Sequence, residues 1–202
     1  MRNPVSKQSS RLEAVIREVD EANAADPRRE LVEGVPRPRE AIYAERMSDG
    51  LKQLYPEASE WLRIAARAQH ICRWQIPRAG YPLGREGYHA WRNACRVHHA
   101  TLISKIMARQ GYEATDIEHV ANIVKKKGIK SDLDSQALEN VVGVIFVQYY
   151  LEAFVSEHSD YDEPKLADII GKTLRKMDGV GYEALRRLNL PPATRQLIET
   201  AS

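Results

Sequence analysis

Residues 132–155, DLDSQALENVVGVIFVQYYLEAFV, decide the fold class. By residue type alone, the run from Val141 to Val147 is β-branched enough to form a strand. Its context favours a helix. Asp132 or Asp134 stands ready to cap the start, polar residues recur at Glu139, Asn140, Gln148 and Glu152, and the stretch is longer than a strand of ~5–6 residues. A helix apolar on nearly every side is buried, so the pattern predicts a central helix surrounded by others. Glu139 on such a helix must be paired, most simply with an arginine.

Working outward, the rest of the chain also reads as helix. Ser10 as a cap followed by Leu12, Val15, Ile16 and Val19 predicts a helix to about Ala25. DPRRELVEGVPRPRE, with prolines at 27, 36 and 38, reads as a rigid linker or surface strap. Further helices are expected over 39–54, from Pro56 to near Trp74, from Gly87 to Gln110, and from an Asp116 cap to Lys127. The KKKG end of the last one places cations where the helix dipole favours them and reads as solvated. Helices over 163–177 and a short pair from Tyr182, the second starting at Pro191 and Pro192, close the chain. The expectation is an all-α bundle of about eight or nine helices with one long Pro/Gly/Arg-rich loop. It forms a single helical domain over 1–202, with an N-terminal helix and linker (1–38), a core (39–160) and C-terminal helices (161–202).

The net charge of +2 argues against indiscriminate binding to nucleic acid or membrane. The longest apolar run stops at Gln148, short of a bilayer span, so no membrane partner is expected. Cys72 and Cys95 lack metal-finger spacing, and MRNPVSKQSS has no apolar signal core; a reduced, cytoplasmic protein is expected.

The basic signal is regional. QHICRWQIPRAGYPLGREGYHAWRNACRVHH, residues 69–99, holds five arginines, two tryptophans and four histidines against one acid, Glu86. Arg73, Arg78, Arg85, Arg92 and Arg96 therefore lack local partners, and a planar guanidinium suits phosphate or carboxylate. Gln69, Arg73, Arg78, Arg85, Arg92 and Gln136 are the candidate binding residues for a small anion, with a nucleotide, phosphate or carboxylate in view. His70 and Glu139 are the candidates for moving a proton. Each has a structural alternative: His70 as a core histidine on a backbone carbonyl, Glu139 in an Arg–Glu lock, Trp74 and Trp91 as packing. His98 and His99 point about 100° apart on a helix, so at most one faces the site.

The order of a helix ending AARAQH, a long loop, a His-containing helix stopped by glycine, EHVANIVKKK and then DSQALEN resembles the metal-dependent phosphohydrolases of the HD superfamily. More closely, QHICRW, IPR, YPLGR-x-GY-x-x-WR, Q-x-LEN and KTLRKM resemble the family catalogued as domain of unknown function 4202, over about Leu12 to Leu190. The superfamily resemblance implies an HD-like fold and hydrolysis of a phosphoric ester at a divalent metal. Its ligand pattern is broken here: His-Asp is His70-Ile71, the second histidine is Tyr43, and the last acid falls on Val142. No cofactor is assigned. A rearranged divalent site would need His70, His98 or His99, and Glu139 to converge, where imidazole and carboxylate suit manganese, iron or zinc. The alternatives to an enzyme are a non-catalytic ligand sensor or adaptor that kept the pocket, and single-stranded RNA binding through arginines interleaved with Tyr81, Tyr88, Trp74 and Trp91. Near-neutral total charge counts against RNA.

Overall fold

A computed structural model describes residues 4–201, with side chains from Ser10 onward; residues 1–3 of the polar MRNPVSKQSS stretch lie outside the described residues. Helix α1 (Pro4–Ala24) is already running at Ser10, which is inside it and not its cap. An interior serine costs a helix only about 0.5 kcal/mol, too little to stop one. Val15 and Val19 are buried as their spacing requires.

The proline-rich segment is a two-stranded antiparallel hairpin and not a strap: β1 (Arg29–Val32) and β2 (Val35–Pro38), with Val32 opposite Val35. Glu33 and Gly34 take positive φ of 52° and 80°, which suits a tight two-residue turn. Prolines are tolerated because each strand of so small a ribbon has a free edge. Helix α2 (Arg39–Leu54) follows directly from Pro38, whose side chain cannot cap it. Asp26, fully buried, supplies the missing acceptor and takes the Glu40 backbone N–H at 3.1 Å.

Helix α3 (Glu60–Arg67) is shorter at both ends than its apolar pattern predicts. Ser59 caps it by accepting the Leu62 N–H, and after Arg67 the chain turns through Cys72, at a left-handed φ of 51°, into 3-10 turns over Arg73–Gln75 and Arg78–Gly80. Asn23 of α1 holds that corner by accepting the Cys72 N–H at 3.0 Å. Helix α4 (Gly84–Arg109) starts three residues before the expected Gly87. A Cβ on Gly87 would stand 1.9 Å from the Pro82 carbonyl oxygen, so glycine there lets the loop fold against the helix. Helix α5 (Ala114–Val124) begins ahead of Asp116 and ends before the lysines.

The decisive stretch is helical. Helix α6 (Leu133–Tyr149) is capped by Asp132, which accepts the Ser135 N–H at 2.7 Å, and bends by 62° at Tyr150 into α7 (Leu151–Glu157). Helices α8 (Glu163–Leu174), α9 (Gly179–Arg187) and α10 (Pro192–Ala201) complete an all-α fold apart from the hairpin. The break at Tyr150 adds one helix to those expected. Two apolar clusters meet on α6: Ala137, Leu138, Val141 and Ile145 pack against α1–α5, while Val144 and Val147 pack against α7–α10. No single helix among the described residues is long and apolar enough to cross a membrane.

Asn140, fully buried on α6, ties the two clusters together. Its amide donates to the Tyr55 hydroxyl (2.7 Å) and to Asp178 (2.8 Å), while its oxygen accepts the Asp178 N–H (3.0 Å) and the Gln136 amide (3.2 Å). Asn140→Ala removes four hydrogen bonds made from a fully buried position to the more exposed Tyr55, Gln136 and Asp178, and is expected to lower stability by about 1–3 kcal/mol, read from urea unfolding. An unchanged midpoint would show the network to be dispensable.

Candidate functional site

The turn after α3 projects His70 against the first turns of α2 and the middle of α4. Tyr43 stacks on the imidazole, with ring centroids 3.9 Å apart. The Nδ1 of His70 lies 3.4 Å from Oε2 of Glu40, and Nε2 lies 3.0 Å from Nη1 of Arg73. Arginine can only donate, so Nε2 accepts and the ring proton sits on Nδ1, facing the carboxylate. Glu40, with 4 % of its side chain exposed, accepts through its other oxygen from Arg28 at 2.6 Å, and Arg28 forks onto Asp26 at 3.0 and 3.1 Å. Acid, guanidinium, acid, imidazole and guanidinium therefore form one chain from the segment that enters the hairpin to the Arg-rich segment.

On α4, Arg92 and His99 are seven residues apart and share a face. His99 is buried, its ring 5.7 Å from that of His70, and its Nε2 has no protein partner among the described residues. Arg73 lies over Trp91, 4.7 Å from the ring centroid, and Trp91 donates to the Ile76 carbonyl. Across the site, Lys126 and Glu139 form a buried ion pair, with 6 % and 4 % of their side chains exposed. Lys126 turns inward because its backbone is left-handed, at φ 61°.

The electrostatics are lopsided. Burial, then Arg73, Arg92, Lys126 and Arg28, holds the His70 imidazole well below its ordinary pKa; burial, His70 and Arg73 do the same to His99. Both rings are neutral at neutral pH. Burial raises Glu40 despite Arg73 and Arg28. Burial would raise Glu139 too, but Lys126 beside it, with Lys176 and Arg92, outweighs that and lowers it. Lys126 itself falls to about 8, through burial that Glu139 only partly offsets. Among the described residues no carboxylate pairs with Arg73 or Arg92 within 4.0 Å; Glu40 acts on Arg73 only at longer range.

The sequence profile of the family described as Domain of unknown function (DUF4202) matches residues 13–198. The chain belongs to this family. No curated protein and no solved structure matches it.

In this family member His70, Arg73, Arg92, His99 and Glu139, candidates read in the sequence, lie together with Glu40 and Lys126, which that reading passed over, and with Tyr43, which it noted only at the place of the superfamily's second histidine. Glu139 is locked by a lysine and not by an arginine, and the KKKG run is correspondingly not wholly solvated. Gln69 is buried close by, with its oxygen unpartnered among the described residues. Arg78 instead staples its own loop by donating to the Tyr81 carbonyl, Arg85 is exposed in the first turn of α4, and Gln136 donates to the Lys176 carbonyl. His98 engages the Cys72 backbone. The expected metal candidates do not converge: His70 has one nitrogen on a cation, Glu139 is held by Lys126, and no group of three or more His, Cys, Asp or Glu among the described residues is placed to hold an ion. Four cations around His70 would also repel a dication. The residues present do not fit the superfamily's metal.

Acid should unfold this arrangement early. The unfolded chain takes up histidine protons near pH 6.5, whereas buried His70 and His99 resist them, so stability present above that pH is lost as pH falls, by up to about 1.4 kcal/mol per unit for each histidine. His99→Gln is expected to remove one proton from this slope, measured by urea unfolding between about pH 7 and 5. An unaltered slope would mean His99 titrates normally.

Proposed function

We propose that this protein binds a small phosphorylated or carboxylated molecule, with a nucleotide first among candidates, and that Arg73 and Arg92 are its principal contacts. One observation carries the reading: two guanidinium groups converge on a half-buried centre where the nearest carboxylates, Glu40 and Glu139, are already occupied by Arg28 and Lys126. A desolvated cation without a counter-ion is unfavourable, and an incoming oxyanion supplies that counter-ion with charge-assisted, bidentate hydrogen bonds. His70 keeps 22 % of its side chain exposed, so the centre is reachable from solvent.

A second reading, hydrolysis of a phosphoric ester, is favoured by the carboxylate behind the imidazole. Glu40 orients His70 and would stabilise its protonated form once it had taken a proton from water, while Arg73 and Arg92 would neutralise charge building on the phosphoryl oxygens. Glu139, held ionised by Lys126, is the other group able to take that proton. A non-catalytic sensor is the reading that remains if ligand binds without turnover. The wider HD-like kinship, the cytoplasmic location and the absence of a membrane partner stay expectations of the same proposal.

A thermal-shift panel of nucleotides, inorganic phosphate and small carboxylates tests the binding. Stabilisation of several degrees by one anion class is expected, with Arg73→Ala or Arg92→Ala weakening affinity at least tenfold, about 1.4 kcal/mol, and Arg85→Ala having little effect. Equal losses at Arg85 and Arg92 would move the site onto the loop. A flat panel, with RNA binding that falls steeply as salt is added, would replace it with a nucleic-acid surface. His70→Gln separates the two readings: turnover lost with binding kept supports the hydrolase.

A further inference from the structure

Resting on the proposed anion site, we infer that Arg73 is a ligand-operated cap on His70, withholding the imidazole lone pair until an anion draws the guanidinium away. The two ring nitrogens are not equivalent. Nδ1 faces the Glu40 carboxylate, which is anchored by Arg28 and does not leave; Nε2 faces Nη1 of Arg73 at 3.0 Å. A ring nitrogen has a single lone pair in the ring plane, so while it accepts from Arg73 it takes no proton from water or from a substrate hydroxyl.

What holds Arg73 there is weak by comparison with what a ligand offers. Its guanidinium bonds a neutral imidazole, and neutral acceptors hold a cation less strongly than an oxyanion does. No carboxylate among the described residues fixes it within 4.0 Å. The face of Trp91 beneath it, 4.7 Å away, gives a flat support that does not dictate which edge the guanidinium presents. Of the other groups facing His70, Glu40 from α2 is held by Arg28 and Lys126 after α5 by Glu139, while Tyr43 from α2 and His99 and Arg92 from α4 lie near the ring and, among the described residues, are not hydrogen-bonded to it. Arg73 is the member that both bonds the ring and has a use for an anion. Once it turns toward an anion, Nε2 opens on the same side as that anion, so base and ligand are presented together and the base is withheld in its absence. Arg73 is thus a positioning residue for His70 as well as a ligand contact.

Two-bond proton–nitrogen spectra of the histidine rings in the full chain, at neutral pH and with inorganic phosphate as the probe, test this. Without phosphate, His70 should show its proton on Nδ1 and an Nε2 signal displaced by hydrogen bonding. Phosphate should move that signal to the position of a free acceptor, the position it already holds in Arg73→Met before any phosphate is added. The wild-type titration decides the matter even where the variant does not fold. Phosphate that raises the melting temperature and leaves the His70 Nε2 signal unmoved overturns the cap and spares the anion site. Phosphate that changes neither overturns both, and a ligand-free His70 protonated on Nε2 overturns the cap outright.

Discussion

The carboxylate of Glu40 is the constraint on which the site depends. It is nearly inaccessible, and burying a charge is tolerable only when partners replace water. Arg28 and His70 are those partners, and each arrives from a different part of the chain. Arg28 comes from the segment leading into the hairpin, where Asp26 both grips its guanidinium and caps α2; His70 comes from the turn that Asn23 holds to α1 through the Cys72 N–H. Withdrawing any one of these contacts leaves a charged or polar group exposed to an apolar interior. The hairpin, which contributes almost nothing to the core, earns its place through this chain.

A second constraint runs through α6. Its two faces belong to different clusters, so it cannot shift to suit one without disturbing the other, and Asn140 fixes its register against α9. Glu139 is the adjacent residue, carried into the site side of the same rigid helix. Its pairing with Lys126 then follows from geometry: the left-handed backbone at Lys126 reverses a side chain that would otherwise continue the solvated end of α5.

The fold was legible where periodicity and caps agreed. The Val-rich run could be assigned to helix because Asp132 and the recurring polar residues outweighed β-branching, and Asp132 does cap it. The hairpin was not legible, because Glu33-Gly34 lacks the Asn-Gly or Asp-Gly usual in such turns. At the site, the shortage of acids over 69–99 singled out arginines without local partners, and Arg73 and Arg92 lie beside His70 with no carboxylate within 4.0 Å among the described residues, but sequence spacing does not say which arginines a loop turns inward, and Arg78 and Arg85 remain outside. Glu40 escaped notice for a physical reason. An acid in the first turn of a helix is what the dipole favours at any exposed terminus, so nothing in its type or position marked it as buried. The one available signal was its spacing of three residues from Tyr43, which puts both on one helical face. Lys126 was hidden in the same way by the favourable end of α5.

The distribution of charge also bears on which ions the site can accommodate. A dication centre needs several free nitrogen or oxygen donors and an excess of negative charge. Here His70 and Glu139 are committed to cations, and the lowering of Lys126 to about 8 means that even a lysine beside a carboxylate is under pressure to lose its proton. That pressure comes from burial together with Arg92 and Lys176. An oxyanion bound as proposed would relieve it: with a counter-charge nearby the cations would gain, and the neutral His70 would become easier to protonate. Beyond burial, Arg92 lowers both Arg73 and Lys126, and this crowding of like charge around His70 is the physical basis of the anion proposal, whichever chemistry follows.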